Sequence, residues 1–177
     1  LHSAQGDIID DEGWNTAKLK ETWRERLSST ARKQNLPKVV EVNEKMSKKW
    51  GEGTCVIPSP VEVDALMKSV PKGKLITINQ IREYMAKKYH ASFGWPITTG
   101  IFAGMAARAA EEDESEGKKN ITPYWRTLKG KGELNEKYPG GVFDQAKRLK
   151  TEGHAIEPDK AGKPKRVKDW EKKLVEV

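Results

Sequence analysis

Residues 71–112 read PKGKLITINQIREYMAKKYHASFGWPITTGIFAGMAARAAEE, and this stretch decides the fold. Thr77 and Gln80 have the T-x-x-Q spacing of a capping box, in which each side chain satisfies a backbone N–H of the other at a helix start. Beyond it Ile81, Tyr84, Met85 and Lys88 recur three and four apart, the period of a helix. Residues 90–96 read as a turn. A further helix is expected over about 98–112, and its small residues allow close approach to another backbone. Two helices joined by a short turn, with a third before them, are the pattern of a helix-turn-helix unit. The second helix of such a pair leads with its N-terminus into a DNA major groove. A plain helical bundle that uses the same turn for packing fits the same pattern.

Working upstream, Ser59-Pro60-Val61-Glu62 predicts a helix start: Ser to cap, Pro at the first position, Glu to complete a capping box. That helix carries Val63, Leu66, Met67 and Val70 on one face and stops at the turn 71–73, before a short extended piece, 74–76. Residues 51–60, GEGTCVIPSP, read as a loop by their Gly and Pro content. Trp14, Ala17, Trp23, Leu27 and Ala31 predict a helix over 15–35, ended by Leu36-Pro37. A second short helix is expected over 39–50. Downstream, 138–141 is a turn, and 142–153 reads as a helix with Phe143, Ala146 and Leu149 apolar, ended by Gly153. Residues 154–158 and 164–167 flank a basic tip and predict a small β-hairpin, with a solvated tail as the alternative. Asp169 is expected to cap a final basic helix.

The expected organisation is an acidic tail over 1–13, a helical N-terminal extension over 14–58, a main domain over 59–158 and a basic wing with a C-terminal helix over 159–177. The fold class is mainly α: a winged helix-turn-helix domain with a small β-hairpin.

Composition narrows the function. Of 177 residues, 36% are hydrophobic and 33% charged, and no apolar run approaches the ~20 residues of a membrane-spanning helix. The first 13 residues have neither the basic nor the apolar region of a signal peptide, so a cytoplasmic protein is expected. One cysteine and three histidines leave no disulfide framework and no thiolate-rich or His-rich metal site, and no cofactor is expected. The net charge is +7. Acidic residues concentrate in 1–13 and in 111–120, read as a loop, so the remaining body is more basic than the total. A basic body is the electrostatic footprint of a nucleic-acid binder, because neutralising phosphates releases counterions.

Further motifs follow in order: Pro123-Tyr124-Trp125-Arg126-Thr127, then Gly132-Glu133-Leu134, Gly140-Gly141 and Leu149-Lys150-Thr151-Glu152-Gly153. With 71–78 and the 98–110 helix, this set resembles the DNA-binding, active-site domain of the methylguanine-DNA methyltransferase family, from about Ser59 to Ile156. That family has a P-x-G-x-V-x-T-Y-x-x-I-A opening, an Ala/Gly-rich recognition helix, P-C-H-R-V, G-x-L, a Gly-Gly turn and a late L-x-x-E-G. The resemblance implies a cysteine nucleophile for the alkyl group of a flipped guanine, activated by the adjacent His, which the late Glu orients. Here Tyr124 stands at the Cys position and Trp125 at the His position, and only Glu152 remains. A phenol with a pKa near ~10 is a poor acceptor, and indole is no base. Alkyl transfer is therefore expected to be lost. Cys55, outside the motif, reads as a small buried apolar residue.

By the same resemblance, Ile78 stands where the family has the Tyr that rotates the target phosphate. Gly100 or Ile101 replaces the Arg that fills the gap left by the base, although Ile101 can act as an apolar wedge. The former pocket comprises Pro123, Tyr124, Trp125, Arg126, Tyr138 and Glu152. Its two new aromatic rings either stack on a base, at roughly 1–3 kcal/mol, or fill the pocket. The family includes alkyltransferase-like proteins that bind alkylated bases without repairing them and recruit other repair proteins.

The reading is a monomeric, non-catalytic protein that binds double-stranded DNA, with alkyl-lesion sensing in repair as its extension. Thr77, Asn79, Gln80, Thr98 and Thr99 are expected to bond phosphate or base edges. Ile78, Gly100 and Ile101 are expected at the same face. Arg108, Arg126, Lys129, Lys131, Lys163, Lys165 and Arg166 are expected to face the DNA backbone. The alternatives are residual alkyl transfer or other chemistry through Cys55, and a protein-interaction module using the apolar Ile97, Ile101, Phe102 and Met105.

Overall fold

The computed structural model describes residues 21–177. Two capping boxes set the frame. Thr22 and Glu25 form the first, opening α1 (Trp23–Lys33). Thr77 and Gln80 form the second, opening α4 (Ile78–Lys88), as their spacing predicts. Between them lie β1 (Lys38–Glu41), α2 (Glu44–Trp50), β2 (Thr54–Ile57), α3 (Pro60–Lys68) and β3 (Ile76–Thr77). After α4 come β4 (Phe93–Gly94) and the long α5 (Pro96–Ser115), with proline in its first turn. The 3-10 turn Tyr124–Arg126 leads into β5 (Thr127–Leu128), then α6 (Gly141–Thr151). The chain closes with β6 (Ile156–Pro158), β7 (Pro164–Val167) and the 3-10 turn Trp170–Lys173. The class is mainly α.

α5 is the axis of the fold and packs against α1, α3 and α4. The main core joins Leu27 of α1 and Val56 of β2 to Val63, Met67, Ile81, Met85, Phe102 and the alanines of α5. A second core gathers Leu75, Leu128, Leu134, Val142, Leu149 and Val167 around α6 and the hairpin, and Trp125 packs against both. Each fully buried Val, Leu, Ile, Met or Phe among them contributes about 1.5–3 kcal/mol.

A charged network binds α1 onto this frame. The Arg24 guanidinium pairs with Asp64 of α3 and, at 2.8 Å, with Asp113 of α5. The Thr122 hydroxyl donates to the other Asp64 oxygen at 2.7 Å. The Trp23 N–H, an orphan donor at the start of α1, donates to Glu112 at 2.7 Å. Burial works to raise the Asp113 carboxyl, but hydrogen bonds from Arg24 and Lys118 outweigh it and hold the group below the usual range.

Several expectations need correction. Residues 39–50 are not one helix: Val39 and Val40 pair with Val56 and Cys55 in an antiparallel β1–β2 ladder, and only 44–50 are helical. The loop expected at 51–60 contains β2, which also pairs in parallel with β4, inside the turn expected at 90–96. The extension is thus mixed α and β, and the acidic tail and the start of the first expected helix, before residue 21, lie outside the described residues. Gly94 fits β4 because a Cβ there would lie 2.7 Å from the Arg82 carbonyl. The Ser59 box does not close: Ser59 caps Val61, while Glu62 binds Lys88 and Tyr89. The acidic stretch from 111 is helical through Ser115, not a loop. Asp169 caps no helix: it sits at φ +53° without a capping bond, ahead of one 3-10 turn. The hairpin forms as expected, with Ile156 opposite Val167.

Candidate nucleic-acid interface

The turn 89–95 sets the start of α5 beside the start of α4, and the loop 129–137 rises opposite them. Gly130 lets that loop touch α4, since a Cβ there would meet the Asn79 amide nitrogen at 2.5 Å. The three elements enclose an open groove of about 1210 Å³. Its α5 wall is Ile97, Gly100, Ile101, Gly104, Met105 and Arg108, one stripe at helical spacing. Ile78 and Asn79 line the α4 side, and Lys129, Asn135, Glu136 and Lys137 the loop side. Trp23 of α1 lines it as well, with the Arg108 guanidinium 5.4 Å from its ring. Ile97 and Ile101 are 55% and 45% exposed, unusual for isoleucine. Lys129 reaches across to Glu136 at 2.7 Å.

The site around Pro123–Arg126 is closed. Tyr124 is 1% exposed, and its ring meets Trp125 and Tyr138 edge-on with centroids 5.3 and 5.5 Å away. Arg148 of α6 lies over both Trp125 and Tyr124, 4.7 Å from the Trp125 centroid and 5.6 Å from that of Tyr124. Glu114 holds this guanidinium through two bonds of 2.9 and 3.0 Å. The Trp125 indole N–H donates to Glu152 at 3.0 Å. Arg126 forks onto Glu152 at 2.6 and 2.9 Å and donates to the Val70 carbonyl at 2.7 Å. The fully buried Gln145 ties the Trp125 carbonyl to the Asn135 N–H. Burial pushes the Tyr124 phenol up to about 12 and raises that of Tyr138 as well. Burial also acts to raise Glu152, but the bonds from Arg126 and Trp125 hold it below the usual carboxylate range.

Pro123, Tyr124, Trp125, Arg126, Tyr138 and Glu152 are therefore brought together, as a packed unit. The expected DNA-facing residues divide. Ile78, Asn79, Gly100, Ile101, Arg108 and Lys129 line the groove. Lys131, Lys163 and Lys165 are exposed on the loop and hairpin. Arg166 is half-buried and donates to the Lys131 carbonyl. Five residues are corrected. Thr77 and Gln80 are consumed by the cap, and Gln80 also donates to the Val175 carbonyl. Thr99 is 0% exposed and donates to the Trp95 carbonyl. The Thr98 hydroxyl is buried. Arg126 is 14% exposed and is held by Glu152 and the Val70 carbonyl. Cys55 is fully buried in β2, as expected, and burial raises its thiol above its ordinary value, unlike an activated nucleophile.

Sequence reasoning misses Trp23, Gly104, Asn135, Glu136 and Lys137 as groove residues. Gly104 carries a signal, falling four residues after Gly100; the loop residues carry none. Arg148 is missed as well, and Asp144 four residues before it is the available hint.

No protein-family model and no curated protein matches this chain. Among solved structures it is similar to S. pombe Atl1 in complex with damaged DNA containing O6-carboxymethylguanine, at 16% identity and TM-score 0.49. It is also similar to S. pombe ATL in complex with DNA, at 17% identity and TM-score 0.49. Each alignment covers 67% of this chain and 94% of the other.

Proposed function

We propose that this protein is a non-catalytic DNA-binding protein, with α3 to α5 and the β6–β7 hairpin used as a winged helix-turn-helix. One observation carries the reading: the first half of α5 presents Ile97, Gly100 and Ile101 to solvent in a groove bordered by Lys129 and Lys137. Among the described residues no atom lies within 4 Å of where a Cβ on Gly100 or Gly104 would be, which lets a duplex approach the helix backbone closely. The exposed Lys131, Lys163 and Lys165 supply further phosphate contacts. The absence of alkyl transfer is supported by the Tyr124 phenol, held protonated in a sealed site, and by the Trp125 N–H, committed to Glu152 as a donor.

Recognition of an alkylated base is a narrower form of this reading and requires space for the base. The groove beside Met105 and Asn135 offers that space; the Tyr124 site does not.

Titration of a labelled duplex at two salt concentrations tests the reading. Binding that weakens steeply as salt rises is the expected result. No binding, or binding indifferent to salt, overturns it. Competition between unmodified and O6-methylguanine duplexes then measures lesion preference, and a gain of one methyl in the protein's mass would overturn the non-catalytic assignment.

A further inference from the structure

The groove has a mixed character that duplex binding does not use in full. Ile97, Ile101 and Met105 are apolar, while Arg108 and Lys137 are cationic, with Glu136, which faces Lys129, the one carboxylate of the lining among the described residues. A ligand matched to it combines carboxylates with large apolar side chains. Residues 7–14 of this chain read DIIDDEGW: four carboxylates, two isoleucines and a tryptophan, with no cation. The chain also meets the groove in the right place. Trp23 is both the first residue of α1 and part of the groove's lining, so the chain enters α1 at the groove. The distances suffice. Arg108 to Ile97 spans about 16 Å of α5, at ~1.5 Å per residue. The seven steps from Trp14 to Glu21 span up to roughly 23 Å extended.

We propose that the groove is the seat of the chain's own acidic segment, residues 7–14, which competes there with duplex. The competition rests on the duplex reading; the docking does not. Carboxylates take the positions that phosphates take, against Arg108 and Lys137. Ile8, Ile9 or Trp14 covers the exposed Ile97 and Ile101. The segment then acts as an internal competitor, which weakens non-specific binding and is displaced by a duplex that fits.

The test compares the protein with its D7N/D10N/D11N/E12Q variant. Backbone amide shifts are recorded without DNA, and duplex affinity is then measured at low salt. The expected result is a shift of the Gly100, Gly104 and Gly130 amides, together with affinity raised about 5-fold or more in the variant, the scale of typical coupling between competing sites. Unchanged groove amides overturn the proposal whatever the duplex does. Shifted amides with equal duplex affinity overturn the competition. Shifted amides with no duplex binding by either protein uphold the docking and remove the duplex reading. Shifts that grow with protein concentration assign the segment to a second copy and overturn the intramolecular form.

Discussion

Two neighbouring regions of this molecule use the same kinds of residue to opposite ends. In the closed pocket Tyr124, Trp125, Arg126, Arg148 and Glu152 satisfy one another, and little chemistry faces outward. In the groove Ile97, Gly100, Ile101 and Arg108 line a helix face, and among the described residues no side chain lies over Gly100 or Gly104. Aromatic and charged residues gathered around Pro123–Arg126 are therefore no measure of activity. What separates the regions is burial: Tyr124 is 1% exposed, whereas Ile97 and Ile101 are 55% and 45% exposed.

That contrast can be broken most forcefully at Arg126. Its pair with Glu152 is 14% and 8% exposed, so Arg126→Ala leaves a buried carboxylate without its cation. The expected cost is about 3–5 kcal/mol of unfolding free energy, read by denaturant titration. Duplex affinity per folded molecule stays the same. A drop in affinity with stability intact would move Arg126 back to the interface.

Gly100→Asp probes the other region. The position is helical with open space around it, so the added carboxylate costs no packing. Facing phosphate, it is expected to weaken duplex binding by about tenfold, or 1.4 kcal/mol, at unchanged melting temperature. Equal binding by both proteins would place the duplex elsewhere. The hairpin gives a smaller effect. Lys163→Gln with Lys165→Gln removes two exposed cations. The slope of log affinity against log salt should fall by about 0.9 for each phosphate that is no longer neutralised. An unchanged slope would show that the hairpin does not reach the backbone.

The helices that build the groove are legible in the sequence because their signals are local. Thr77 and Gln80 lie three residues apart, and Ser59-Pro60 marks the start of α3 without reference to the rest of the chain. The strands are not legible, because their cause lies elsewhere: Val39 and Val40 become β1 only by meeting Val56 and Cys55, and β4 is two residues long. The same distinction governs the site. Tyr124, Trp125, Tyr138 and Glu152 are read together from the order of short motifs along the chain, and they do pack together. Thr99 is misassigned because nothing in its sequence tells that its hydroxyl is spent on Trp95 one turn back. The loop wall at 135–137 faces α5 through tertiary packing alone, and no local pattern announces it.

The smallest effect sharpens the comparison from within the closed region. His154 is buried there, with its Nε2 lacking a partner among the described residues. Burial lowers its pKa first; Glu152 pulls upward, while Lys173 and Arg126 add to the lowering, and the net is below the ordinary 6.5. The folded protein thus binds this proton less readily than the unfolded chain does. Stability from the neutral imidazole is complete above the unfolded value and is lost as pH falls from there through the folded value. His154→Asn should flatten that part of the stability curve, and the imidazole resonance of His154 should titrate below 6.5. A midpoint above 6.5 would mean that Glu152 dominates the imidazole. The carboxylate would then not be fully taken up by Arg126 and Trp125, and the pocket would not be closed in the sense argued above.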